Sequence, residues 1–258
     1  MKALLIKILV MKAAEKQFHV HRNVRIRQKV WKADKMKKLV IFGLGDLAEL
    51  AWFYFVKDSG YRPAAFTADG RYKNTEEFLG LPVYDFEQIQ ESCPPGEYDM
   101  FIAAGYSRLN QVREEKYYAA KKKGYRLASY ISTRAVCWPD REQIGDNCMI
   151  LENCTVQPFV QIGNNVIIWS GSQVAHHSRI GEHVFLASHA VLSGRTCVGN
   201  NCFIGANAAV CDKVVIGKDC VIGAGALVTR DTQPGTVYKG QYSCRDEKLS
   251  GEIAYFFH

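Results

Sequence analysis

One period dominates this chain. From Ile144 to Val228 an aliphatic residue recurs at every sixth position, fifteen times without a slip of phase. The residue after it is glycine in seven of those hexads, and the fifth position holds only Cys, Ser, Thr, Ala or Val. An α-helix repeats every 3.6 residues and a half-buried strand every two, so neither produces a period of six. A parallel β-helix does, with short strands joined by turns and the first and fifth positions turned inward. Chance periodicity in a valine-rich sandwich would not hold phase to Gln233.

Ahead of the repeats the pattern is α/β. Short apolar runs at Lys38–Phe42, Ala64–Thr67, Asp99–Ala104 and Leu127–Ile131 alternate with helical stretches at about Leu47–Lys57 and Leu109–Lys123. Strands alternating with helices predict a small Rossmann-like parallel sheet covered on both faces. Gly43-Leu44-Gly45 after the first strand allows a backbone to approach an anion at a helix N-terminus, or simply makes a tight strand-to-helix turn. The third glycine of the dinucleotide fingerprint is Ala48 here. Asp69, at the end of the second strand, stands where a ribose or base contact would lie, or is a solvated loop carboxylate. The predicted divisions are a basic leader (1–35), an α/β domain (36–132), a β-helix (133–235) and a C-terminal cap or tail (236–258).

The formal charge of +7 invites a nucleic-acid reading, but its distribution argues against one. Residues 1–35 carry ten Lys/Arg against Glu15 and Asp34, which leaves the rest of the chain close to neutral. No stretch is apolar and long enough for a membrane span, since Lys2, Lys7 and Lys12 interrupt the only apolar run of the leader. That leader reads as a disordered segment or as residues upstream of a natural start at Met36, with a basic amphipathic segment on an anionic membrane as the rarer reading. Nine cysteines occur without a C-x-x-C pair. Cys148, Cys154, Cys202 and Cys220 fall on the inward fifth position, where a thiol serves as a small hydrophobe, and a reduced, cytoplasmic protein is expected.

The repeat run, preceded by an α/β domain, resembles the hexapeptide-repeat nucleotide-sugar acyltransferases, which include sialic acid O-acetyltransferases and N-acetyltransferases of UDP- or GDP-linked 4-amino sugars. The resemblance spans Met36 to about Gly235. It implies a left-handed β-helix of three hexads per coil, so that residues eighteen apart stack in columns. It also implies acyl transfer from acetyl-CoA or a similar acyl-CoA to a sugar amino group in surface polysaccharide (lipopolysaccharide or O-antigen) biosynthesis, or alternatively to a sugar hydroxyl. Carried over from the family, the nucleotide sugar is held by Gly45, Asp46 and Leu47, by Ala68 and Asp69, and by Gly105 with Tyr106 to Arg108 adjoining. Asp46-Leu47 departs from the Ser/Gly-Gly-His usual in the first loop.

The family's base is the first His of a Val-x-His-x-x-x-Ile-Gly segment, here His176 of Val174 to Gly181. The glycine one coil on, which offers its N–H to the thioester carbonyl, is Gly194. Ala206 and Ala224 match acetyl-CoA contacts by position. The chemistry requires such a pair: imidazole accepts a proton near neutral pH, and a fixed N–H meets the developing oxyanion. His177 follows the base where some relatives carry a carboxylate, so it modulates basicity without a charge of its own when neutral. Phe185 occupies the position of a second acetyl-contacting His. Two rival classes were weighed. A γ-type carbonic anhydrase would hold zinc through three histidines, but the spacing of His176, His183 and His189 puts them on successive corners, so no metal is expected. An NAD-dependent oxidoreductase lacks the third glycine and a Tyr-x-x-x-Lys.

The outward sixth positions on one side of the coil, Met149, Ile167, Phe185, Phe203 and Val221, form an apolar stripe. A stripe of that length is expected to be covered. It predicts a homotrimer in which His176 and Gly194 of one chain face the Phe185 side of the next, with Phe203→Glu dissociating it. Separately, a protein beginning at Met36 is expected to keep solubility, assembly and turnover, measured by light scattering and thiol release. Lost turnover would assign the leader a working role.

Overall fold

The structure is a computed structural model and describes residues 36–241. The expectations for 1–35, and for the aromatic tail from Tyr242 on, lie outside the described residues.

The α/β domain contains strands β1 (Lys37–Phe42), β2 (Tyr61–Ala68), β3 (Glu77–Phe78), β4 (Leu81–Asp85) and β5 (Tyr98–Ile102), with helices α1 (Asp46–Lys57) and α2 (Gln111–Lys122). The sheet order is β3-β4-β2-β1-β5. Strand β1 is central and fully buried from Leu39 to Ile41, which explains its unbroken apolar run. Its alternate residues serve two cores: Leu39 and Ile41 pack with α1, whereas Val40 and Phe42 pack beneath α2. The expected all-parallel sheet is corrected at its edge, where β3 runs antiparallel to β4. The turn between them is Leu79-Gly80, both with positive φ. A leucine in the left-handed position, in place of the usual Asn or Asp, hid this hairpin from sequence reading.

The β-helix has three faces of seven, six and four strands. The chain visits them in that order, so a first corner follows the seven-stranded face, a second the six-stranded and a third the four-stranded. Partners are eighteen residues apart, as Ile167 with Phe185 and Gln173 with Val191. The first and fifth positions form one continuous core from Ile144 to Val228, each residue at most 5 % exposed. Cys148, Cys154, Cys202 and Cys220 lie in it as expected, fully buried. Burial pushes the thiols of Cys148 and Cys202 up to about 12, so they remain protonated. The run Leu127–Ile131 is shared: Leu127 pairs in parallel with Met100 of β5, and Tyr130–Ile131 pairs with Met149–Ile150 and opens the first coil. Val237–Tyr238 extends the seven-stranded face beyond 235.

Met149, Ile167 and Phe185 of the apolar stripe are covered by the chain's own α/β domain, where a neighbouring copy was expected, and Phe203 and Val221 are half-buried. Met149 and Ile167 are fully buried and Phe185 is 4 % exposed, in one core with Leu39, Phe55 and Phe101 of the α/β domain. Phe185 stacks on Phe203 at 5.6 Å, and Tyr106 meets both rings at 5.0 Å. Beside this contact runs a buried polar row. Ile102 donates its N–H to Asn147 Oδ1 (2.8 Å), Asn147 donates to Asn165 Oδ1 (2.7 Å), and Asn165 donates to His183 Nδ1 (2.8 Å). Burial pushes His183 below its ordinary value, which suits the acceptor role. Arg113 of α2, wholly buried, donates through Nη2 to the carbonyls of Asn165, His183 and Val184, each at 3.2 Å. Phe185→Ala therefore removes a shared core residue and is expected to cost about 3–5 kcal/mol in urea unfolding. Phe203→Glu is expected to loosen the α/β domain first, read as faster limited proteolysis.

Candidate active site

The second corner carries the site. Its third positions stack as Pro158, His176, Gly194, Asp212 and Arg230, one per coil. The structure brings His176 and Gly194 together as expected: a β-carbon on Gly194 would lie 2.9 Å from Cε1 and 3.0 Å from Nε2 of the imidazole. His176 is exposed, and its backbone N–H donates to Gln157 Oε1 at 2.9 Å. The carbonyl of Gly194 accepts from Lys213 at 2.9 Å, while its own N–H has no partner among the described residues. That N–H is a free donor beside the imidazole.

The fourth position of every regular corner is left-handed, with φ between 51° and 75°. This geometry disfavours most side chains by roughly 1–2 kcal/mol, and Asn, Asp and Gly tolerate it best. The third corner follows that preference with Asn147, Asn165, Asn201 and Asp219, and the first with Asn153, Gly171, Asn207 and Gly225, each corner departing from it once, at His183 and at His189. The second corner does not, since it carries Phe159, His177, Arg195 and Lys213 there. Side chains are kept at this corner against local conformational preference, which makes it a candidate for a functional edge.

The same register accounts for the histidine cluster. His177, His183 and His189 are the left-handed fourth positions of three successive corners, and only His176 stands off that register. His183 belongs to the buried amide row, and His189 packs over Gly171. The structure therefore keeps His176, His183 and His189 apart, and no group of three or more His, Cys, Asp or Glu able to hold a metal occurs among the described residues. His177 does touch the candidate base: its Nδ1 lies 3.1 Å from Nδ1 of His176, and its ring lies 4.8 Å from that of Phe159. Desolvation, then the charges of Arg195 and His176, hold His177 below its ordinary value. Ala206 and Ala224 sit at the first corner, a whole face away from His176 on the same chain.

The other candidate residues gather at the C-terminal ends of the parallel strands. Gly43 is required by the chain itself, with φ +122° and a would-be β-carbon 2.8 Å from the carbonyl oxygen of Ala103. Gly45 and Gly105 are not: neither has a positive φ, and a β-carbon on either would meet open space. Gly45 begins α1, with no side-chain cap on the helix and the acidic Asp46 exposed in its first turn. Leu47 is half-buried and Ala68 is buried. Asp69 is 6 % exposed and already bound by Lys116 Nζ of α2, so its carboxylate is not the free group expected from sequence. Lys116 lies over the rings of Phe42 and Phe86, and its helical position gave no sequence signal. The segment after Gly105 is strained, with Arg108, Leu109 and Asn110 all left-handed, and Asn110 Nδ2 anchors it to the carbonyls of Asn201 and Cys202 at 3.3 and 3.2 Å. Phe185 is covered, and the exposed aromatic beside it is Tyr106, 56 % accessible.

Residues 143–176, 160–194 and 198–230 match the family described as bacterial transferase hexapeptide (six repeats). No curated protein matches the sequence significantly. Among solved structures, perosamine N-acetyltransferase from Caulobacter crescentus, a variant in complex with CoA and GDP-perosamine, is 27 % identical with a TM-score of 0.71, covering 80 % of this chain and 95 % of that one. The acetyltransferase domain of PglB from Neisseria gonorrhoeae, in complex with acetyl coenzyme A, is 22 % identical with a TM-score of 0.70, covering 80 % and 97 %. WeeI from Acinetobacter baumannii is 22 % identical with a TM-score of 0.63, covering 79 % and 96 %. In its α/β domain, its eighteen-residue coils and its repeat sequence, the chain is similar to the hexapeptide-repeat acetyltransferases.

Proposed function

We propose that the protein transfers an acetyl or similar acyl group from acyl-CoA to the amino group of a nucleotide-linked sugar. The observation that carries this reading is the pairing of His176 with the free N–H of Gly194 in one column. The perosamine enzyme supports the substrate class, since it is solved with CoA and a GDP-linked amino sugar.

The residues divide the work as follows. His176 accepts a proton from the nucleophile at Nε2, the edge that faces Gly194, and the Gly194 N–H stabilises the oxyanion as the thioester carbonyl is attacked. For Nε2 to be free, the Nδ1 proton of His176 must be donated to Nδ1 of His177. The lowered proton affinity of His177 keeps it neutral and able to accept. His177 thus orients the base and fixes its tautomer, the service a carboxylate gives elsewhere. Gly45 and Gly105, with open space in place of a side chain, let the nucleotide approach the strand ends, and Tyr106 flanks them. Lys116 offers a cation close by.

A homotrimer in the cytoplasm, serving surface polysaccharide synthesis, completes the reading. No helix among the described residues is long and apolar enough to cross a membrane. The assembly is supported by incompleteness of the single chain. His176 stands on an exposed corner, and a groove of about 730 Å³ on the four-stranded face does not include it. The strand ends and Tyr106 adjoin the seven-stranded face, opposite the second corner. A neighbour's corner, not the chain's own, can meet the sugar, and a second chain supplies the missing wall for acyl-CoA. Ala206 and Ala224 of the first corner then contribute from across that interface.

His176→Ala is expected to lower kcat by roughly 10²–10⁴, the usual worth of a general base, with assembly intact by light scattering. His177→Ala is expected to cost less, on the order of tenfold. Activity of His176→Ala within a few-fold of wild type would remove it from the role. Gly43→Ala is expected to lower the melting temperature, while Gly45→Ala leaves it unchanged and weakens nucleotide-sugar binding by calorimetry.

A further inference from the structure

The second corner holds a carboxylate that this chemistry leaves unused. Asp212 is exposed, two coils beyond His176 in the same column, and makes no hydrogen bond or ion pair among the described residues. Its placement is defined by the glycine between them. A β-carbon on Gly194 would lie 3.0 Å from Nε2 of His176 and 3.0 Å from Oδ1 of Asp212. Gly194 has no positive φ, so its conformation does not demand glycine, and a side chain there would have to displace the His176 imidazole and the Asp212 carboxylate. Imidazole and carboxylate therefore flank one point that the missing side chain keeps open. The opposite edge of the imidazole is turned to His177, so Nε2 is the edge on the carboxylate side. The other charged groups at this corner are Arg195, Lys213 and Arg230, with Asp231 already accepting from the N–H of Val215 at 2.8 Å.

We propose that Asp212 positions the acceptor by holding its amine as the ammonium ion in the niche at Gly194, and by that contact selects amines over hydroxyls. The proposal rests on the reading of the protein as an acyl-CoA-dependent amine acyltransferase. Alkyl amines are largely protonated near neutral pH, so the acceptor arrives as a cation with no lone pair. A carboxylate at the niche favours that form and a neutral hydroxyl gains nothing from it. His176 takes one proton from the ammonium at Nε2 and releases it to water from its exposed position. The freed amine attacks the thioester carbon. The tetrahedral adduct then loses its second N–H proton to Nε2, the carbon–sulfur bond breaks, and that proton passes to the departing thiolate. Ammonium and thioester become amide, thiol and one proton in solution. Asp212 also faces the imidazolium formed in each proton transfer and stabilises it.

The test uses the full chain as wild type, Asp212→Asn and Asp212→Glu, assayed with acetyl-CoA against UDP-, GDP- and dTDP-linked 4-amino sugars and their 4-hydroxy counterparts. In Asp212→Asn the KM for the amine is expected to rise roughly 10- to 100-fold, the worth of a hydrogen bond to a charged group. The KM for acetyl-CoA is expected to stay within about twofold, with preference for amine over hydroxyl falling by the same factor as acceptor affinity. Asp212→Glu restores part of each effect. An unchanged acceptor KM overturns the proposal, as does a rise confined to acetyl-CoA, which would assign the carboxylate to the amide N–H groups of the pantetheine arm. A wild type that acylates none of the amino sugars overturns the functional reading and this inference with it, whereas an active wild type matched by Asp212→Asn overturns this inference alone.

Discussion

Everything in the β-helix depends on eighteen-residue stacking of aliphatic side chains. Each inward residue sits on its equivalent one coil away, and the first- and fifth-position column from Ile144 to Val228 is at most 5 % exposed. Burial on that scale fixes the phase, because a slip of one residue would turn the whole row outward. Fixed phase in turn gives columns on the outside, spaced by the strand separation of about 4.8 Å. A side chain, a backbone N–H and a carboxylate can then be set side by side by sequence spacing alone, as in His176, Gly194 and Asp212.

The cost of the arrangement falls at the corners, where one residue in six must take the left-handed conformation. Asn, Asp and Gly meet that demand at two of the three corners except at His183 and His189. On the corner that bears His176 none of them does, and Phe159, His177, Arg195 and Lys213 follow one another there. An unbroken run of such residues along one edge distinguishes that edge more firmly than the presence of histidine does, because His183 and His189 serve the architecture.

What was legible in the sequence was what the period controls. The inward column, the buried cysteines and the stacking of His176 with Gly194 follow from counting in sixes and eighteens. Contacts outside that period were not legible. The stripe of Met149, Ile167 and Phe185 announces that something covers it, but its apolarity is the same whether the cover is a second copy or the chain's own α/β domain. Lys116 is one lysine in a charged helix, and only the fold lays it against Asp69. The β3–β4 hairpin was hidden because Leu79 occupies a turn position usually held by Asn or Asp. The first coil was placed late because Tyr130–Ile131 precedes the regular phase.

The shared core has a consequence for how such proteins diversify. The α/β domain and the prism meet through Phe185, Phe203, Tyr106 and a continuous row of buried amides that reaches from the end of β5 to the third corner. They are two units by connectivity and one by packing. A lineage could not acquire a new nucleotide preference by exchanging the α/β domain wholesale, because the incoming domain would leave aromatic surface and amide groups unmatched on the prism. Changes confined to the strand-end loops, where Gly45 and Gly105 face open space, leave that seam untouched. Specificity in this architecture is therefore free to drift at the loop tips and is locked at the joint.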